Sequence, residues 1–276
     1  MYDYDEDKRT WKIIAVIITI IIVSAIIGSY YMYLVMTKRE DTDYVPYDGP
    51  GEYAKYYLKN DFYNEIIIEV DYMEGTMPDT GTLDYLVDLL DDVCEKNAID
   101  YEISDEMDDS DQQVDYSIAD IEQLKNKYQD YQNYMDTAVI HILFLNGYYE
   151  DSSITLGVSY HAGSCAIFKD RVDSIRIPRD ARPFVSTDDF ETSVVVHEVG
   201  HLLGLVNLNY DSDYSHEDKI HDSPNHCKNE SCVMYYALEH SRESFRDKIY
   251  EQEDPRPPRT FGFYCMQDLE KLREEA

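Results

Sequence analysis

The sequence predicts an α/β (α+β) architecture: a mixed twisted sheet, one buried histidine-bearing helix and a C-terminal helical subdomain, all behind one membrane-spanning helix. Three observations predict it. Short β-branched runs alternate with helix-period segments from residue 65 onward. The run Val194-Val195-Val196-His197-Glu198-Val199-Gly200-His201-Leu202-Leu203-Gly204 is apolar nearly all round, as only a buried helix would be. Residues 13–36 carry no charge at all.

Residues 1–12 are short, polar and mixed in charge, and are expected to be a cytoplasmic tail. At about 1.5 Å per residue, the run from Ile13 to Met36 reaches across a hydrocarbon core of about 30 Å, which predicts a single transmembrane helix. It is longer than the roughly 7–15 apolar residues of a cleaved signal peptide. Tyr30, Tyr31 and Tyr33 suit the far interface. Lys8, Arg9 and Lys12 precede the span and Lys38 and Arg39 follow it, a bias of one charge toward an internal N-terminus and an external folded domain.

Residues 37–60, tyrosine-rich and charged, with the turn signal Asp48-Gly49-Pro50-Gly51, read as a stalk. One folded domain is then expected over 61–276, since 43% hydrophobic and 13% aromatic content suffices for one sizeable core. Glu65 to Val70 predicts a strand, and Leu83, Leu86, Val87, Leu90 and Val93 a helix ending near Asn97. Ile99 to Ile103 predicts a second strand, followed by a solvated acidic loop from Ser104 to Asp111. Ile118, Ile121 and Leu124 mark another helix, Ala138 to Leu145 a central strand, and Ser153 to Tyr160 with Gly163 to Lys169 two shorter strands. Ser186 or Thr187 caps the histidine-bearing helix, with Asp188 and Asp189 at its positive end. After the rigid segment Asp254-Pro255-Arg256-Pro257-Pro258-Arg259, a closing helix over Phe261 to Glu274 is expected to bury Phe263, Met266, Leu269 and Leu272.

Acidic residues outnumber basic ones 57 to 24, a formal charge of −33 that argues against nucleic acid or an anionic lipid surface as partner. The chemistry lies elsewhere. In H-E-x-x-H on a helix, His197 and His201 stand one turn apart on the same face, where both can bind one Zn²⁺, and Glu198 beside them can act as general base and acid. Gly204 can end the helix and turn the chain back under the metal.

A third protein ligand is still needed. In metzincins, H-E-x-x-H-x-x-G-x-x-H puts a histidine where this chain has Asn207. Further on, His226-Cys227-Lys228-Asn229-Glu230-Ser231-Cys232-Val233-Met234 resembles the archaemetzincin pattern of histidine, cysteine, four residues, cysteine and Met-turn methionine. That resemblance implies a zincin-like fold and zinc-dependent endopeptidase activity on a peptide or protein substrate. It implies His226 as third ligand, displaced by an insertion from Leu208 to Asn225, and Met234 beneath the metal. Tyr236 falls where some metzincins carry a tyrosine that supports the transition state, and Ile154 to Tyr160 where an edge strand would pair with substrate. The layout extends from Phe62 to the C-terminus, but only His197 to Gly204 and His226 to Met234 are specific. His216, or a carboxylate such as Asp211 or Glu217, is the alternative ligand.

Archaemetzincins join such a cysteine pair to a later C-x-x-C around a second, structural zinc; here Asp268 stands three residues after Cys265. One catalytic zinc is therefore expected, and among the five cysteines a Cys227–Cys232 disulfide. His141 reads as a satisfied core residue, His161 as part of a turn and His240 as part of a polar stretch. The rival reading is a surface binding or adhesion protein that kept the scaffold and lost turnover. Asn207 favours it and the retained Glu198 opposes it.

Overall fold

The computed structural model describes Ile14, Ile18 and residues 49–206, 208, 210, 212–219, 224–238 and 256–275. The predicted span over 13–36 lies outside these apart from Ile14 and Ile18, and among the described residues no helix is long and apolar enough to cross a membrane. Residues 47–276 form one compact unit.

Its centre is a five-stranded sheet of order β2-β1-β4-β7-β6. The strands are β1 (Glu65–Tyr72), β2 (Ala98–Glu106), β4 (Thr137–Leu145), β6 (Gly157–His161) and β7 (Ser164–Phe168). All neighbours are parallel except β6, which returns antiparallel along β7 and forms an edge. Two short strands, β3 (Asp115–Tyr116) and β5 (Tyr148–Tyr149), pair separately.

Strand alternation gives the sheet two apolar faces. On one, Ile66, Ile68, Val70, Ile140, Ile142, Phe144 and Ile167 pack against α2 (Thr80–Val93) and α5 (Thr187–Leu202). On the other, Leu143, Leu145, Ala166 and Phe168 pack against Ile121 and Leu124 of α3 (Ile118–Tyr128). A fully apolar strand such as β4 is thus explained by cover on both sides.

Four expectations need correction. The stalk reading of 37–60 is too long, because α1 (Ala54–Leu58) buries Tyr57 and Leu58 in the main core and Tyr57 donates a 2.8 Å hydrogen bond to the Val139 carbonyl. Tyrosines that look polar in sequence act here as core side chains. The helix expected to reach Asn97 stops at Val93, where the Lys96 ammonium meets the carbonyls of Tyr56, Lys59 and Tyr63. The acidic stretch from Ser104 is strand as far as Glu106, since backbone pairing with β1 tolerates outward carboxylates. In the closing helix α6 (Phe263–Glu275), Cys265, Asp268 and Leu269 are buried while Phe263 is 70% exposed and Met266 39%, so the buried stripe is rotated from the predicted one.

Between β7 and α5, the helix α4 (Lys169–Asp173) supplies Lys169, whose ammonium lies 2.6 Å from the buried Glu191 of α5. Glu191 also accepts the Asp79 backbone N–H at 2.8 Å, and Thr82 and Thr192 share a 2.9 Å hydroxyl contact. Polar residues in an otherwise apolar helix are thereby paired, and they fasten α5 to α2.

Candidate metal centre

Helix α5 begins with a reciprocal cap: the Ser186 hydroxyl accepts the Asp189 N–H and the Asp189 carboxylate accepts the Ser186 N–H. Its end is equally well made. Gly204, at φ +92°, lets the Leu205 N–H reach the Gly200 carbonyl at 3.0 Å and the Gly204 N–H reach that of His201 at 3.0 Å, the Schellman arrangement. This turn brings the Leu205 carbonyl to 2.8 Å from His201 Nδ1.

His197, His201 and His226 are buried, and their ligand-capable atoms all lie within 4.8 Å of one another. Each Nδ1 faces a carbonyl: Val233 O at 2.7 Å for His197, Leu205 O at 2.8 Å for His201 and Pro224 O at 2.8 Å for His226. A carbonyl only accepts, so each Nδ1 carries a hydrogen and Nε2 is the nitrogen left to present a lone pair. His197 and His201 then hold two lone pairs 3.3 Å apart, a repulsive contact unless a cation lies between them. Adjacent nitrogens of a tetrahedral ion with bonds of about 2.0–2.1 Å are separated by about 3.3–3.4 Å. The donor set fits zinc.

Glu198 is buried beside this trio. Ser159 Oγ on β6 lies 2.8 Å from both Glu198 Oε2 and the Glu198 carbonyl, and a side chain at Gly157 would come within 2.7 Å of the Glu198 carboxyl. The edge strand thus supports the carboxylate through a hydroxyl and a missing Cβ, neither of which the sequence motif announces. Met234 packs under the helix, since a Cβ on Gly200 would stand 2.3 Å from Met234 Sδ. Tyr236 is buried in the main core with its ring 4.8 Å from that of Tyr235.

His216, the alternative third ligand, goes elsewhere. It gathers with Cys227 and Cys265, its Nδ1 3.9 Å from Cys265 Sγ and its Nε2 2.5 Å from Asp268 Oδ2. Cys232 Sγ lies 3.6 Å from Cys265 Sγ and accepts the Gly262 N–H at 3.0 Å. The expected Cys227–Cys232 disulfide is absent, and all five thiols are free. The reason is that Cys265 and His216 converge on the same point from other segments. Hydrogen bonds from the Cys232 and Cys265 thiols push the Cys227 thiol well down, and the bond to Cys227 pushes Cys232 up to about 12. Burial works against protonation of His216, but Asp268 and Cys227 prevail and lift it to about 9.

Glu217, one of the two carboxylate alternatives, stands near Lys219 at 3.7 Å and is not in the histidine group. His161 accepts the Gly163 N–H at its Nδ1, at 3.2 Å. His141 is buried in β4 with Nε2 2.8 Å from Asp71, but its Nδ1 has no hydrogen-bond partner, so it is not the fully satisfied residue expected. Asn207, Asp211 and His240 lie outside the described residues.

No protein-family model matches the chain, and no curated protein matches it. Among solved structures it is similar to an archaemetzincin from Methanopyrus kandleri, at 13% identity and a TM-score of 0.46, over 76% of this chain and 97% of that one. It is also similar to metalloproteinase-II from Bacteroides fragilis, at 13% identity and a TM-score of 0.39; the match covers 83% of this chain and 58% of that one.

Proposed function

We propose that the chain is a membrane-anchored, zinc-dependent endopeptidase of metzincin type, with His197, His201 and His226 as zinc ligands and Glu198 as general base and acid. The observation that carries this reading is the 3.3 Å approach of two Nε2 lone pairs whose partner nitrogens are both committed to carbonyls. Zinc bound there would polarise a peptide carbonyl and acidify a water molecule. Glu198 takes the proton of the attacking water and returns it to the leaving amine. Ser159 holds that carboxylate in line, and the free edge of β6 offers backbone groups to an extended substrate. Residues 13–36 would anchor the chain, with residues 1–12 inside the cell and the compact unit outside.

A second, structural zinc belongs to the same reading. Cys227, Cys232, Cys265 and His216 make a Cys₃His set, and the 3.6 Å sulfur separation lies near the about 3.8 Å edge expected for Zn–S bonds of about 2.3 Å. Asp268, standing where the family pattern has a cysteine, instead orients His216 by a hydrogen bond to its far nitrogen.

The test is zinc content and cleavage of unstructured casein by the full chain. The expected result is two zinc ions and cleavage, with Glu198→Ala abolishing cleavage and leaving both ions in place. Zinc bound by a wild-type chain that cleaves nothing would favour a binding protein on the same scaffold.

A further inference from the structure

The face of the sheet away from the histidine trio carries a polar cluster that none of this chemistry uses. Glu69 and Asp71 stand two residues apart on β1, hence on one face, and His141 on β4 is the register partner of Glu69. All three are buried, and their ligand-capable atoms lie within 4.8 Å of one another. Asp71 Oδ2 meets His141 Nε2 at 2.8 Å, while the two oxygens of Glu69 accept the backbone N–H groups of Asp130 and Tyr131 at 2.5 and 3.1 Å.

Two features of this cluster are unbalanced. Among the described residues, neither carboxylate has a lysine or arginine partner; the basic side chain beside them is His141, which pairs with Asp71. Buried carboxylates without a compensating charge are costly. His141 Nδ1 is also buried without a hydrogen-bond partner. A buried nitrogen left unpaired is unfavourable, and it points to a missing occupant.

We infer that Glu69, Asp71 and His141 form a binding site for a divalent cation of the Mn²⁺ class. A charge of +2 cancels the two carboxylates. One imidazole nitrogen with carboxylate oxygens suits manganese and gives nothing to metals that want thiolate. The site lies in the strands that carry the sheet, so the ion would tie β1 to β4 and hold the Asp130–Tyr131 turn through Glu69. It is independent of the peptidase reading.

The probe is Mn²⁺ alone, added to the metal-stripped full chain and followed by EPR. To remove the competing histidine trio, the measurement is repeated on His226→Ala. The expected result is one Mn²⁺ bound by His226→Ala, with pulsed EPR showing coupling to a single imidazole, and affinity at least about 10-fold weaker in Asp71→Asn and Glu69→Gln. No Mn²⁺ bound by His226→Ala, or equal affinity in both carboxylate variants, would overturn the site and leave Asp71 and His141 as a plain hydrogen-bonded pair. The His226→Ala arm stands even where a carboxylate variant fails to fold.

Discussion

Two clusters of side chains that could hold a metal meet at one peptide and are built in opposite ways. His226 joins His197 and His201, whereas its neighbour Cys227 joins Cys265 and His216. Successive residues of extended chain point to opposite sides, and Cys227 bridges both Glu217 and Tyr235 in strand fashion. The first cluster takes two ligands from one turn of a capped helix and orients every imidazole with a backbone carbonyl. The second draws on residues 216, 227, 232 and 265 and orients its imidazole with a carboxylate. A carbonyl fixes a tautomer without adding charge; a carboxylate also makes the ring more basic.

Paired substitutions test the comparison most severely. His226→Ala should remove one zinc and casein cleavage while sparing the thiolate-bound ion; His216→Ala should remove the other ion and leave the histidine trio loaded. Loss of both ions from either variant would show that the shared peptide makes them one unit. Next in size is Glu191→Gln, which leaves Lys169 with only the part-exposed Asp173 as counter-charge and should destabilise the fold by about 1–3 kcal/mol in denaturant melts, with the histidine trio untouched.

The carboxylate-backed imidazole should also show itself in pH dependence. His216 is lifted from 6.5 to about 9 in the fold, so in the metal-stripped chain its contribution to stability is complete below about pH 6.5 and is lost as pH rises through 9. His216→Ala should abolish that slope between pH 6.5 and 9. The smallest effect is expected at Ser159, where Ser159→Ala should lower kcat about 10-fold with little change in KM or zinc content, and Ser159→Thr should restore most of it.

What could be read from the residues follows the same division. The helix, its cap at Ser186, the turn at Gly204 and the relation of His197, Glu198 and His201 are local consequences of spacing, and all are visible in one line of sequence. The strands β1, β4 and β7 were legible because each is a short β-branched or apolar run. The second cluster was not, because no local pattern joins His216 to Asp268 across 52 positions, and a cysteine pair at short spacing suggests a disulfide until the third sulfur is seen. Ser159 and Gly157 were missed for a related reason: only the edge position of β6 brings them to Glu198. Tyr56, Tyr57 and Leu58 belong to the core although their neighbourhood reads as a polar stalk, and the buried side of α6 is chosen by Cys265 and Asp268 and not by its largest apolar residues.

The lock between Lys169 and Glu191, set against the Schellman turn at Gly204, fixes the rotational phase of α5 at both ends. Glu191 lies six residues before His197 on the same rigid screw, so the angle at which the histidines face the cleft is inherited from an ion pair well away from them. One residue inserted between Glu191 and His197 would turn the imidazoles by about 100° if the N-terminal lock held. The same residue inserted ahead of Ser186 falls in loop and turns nothing. Tolerance to length change should therefore switch abruptly at the helix cap, and a scan of single-residue insertions would map that boundary as sharply as any substitution maps the ligands.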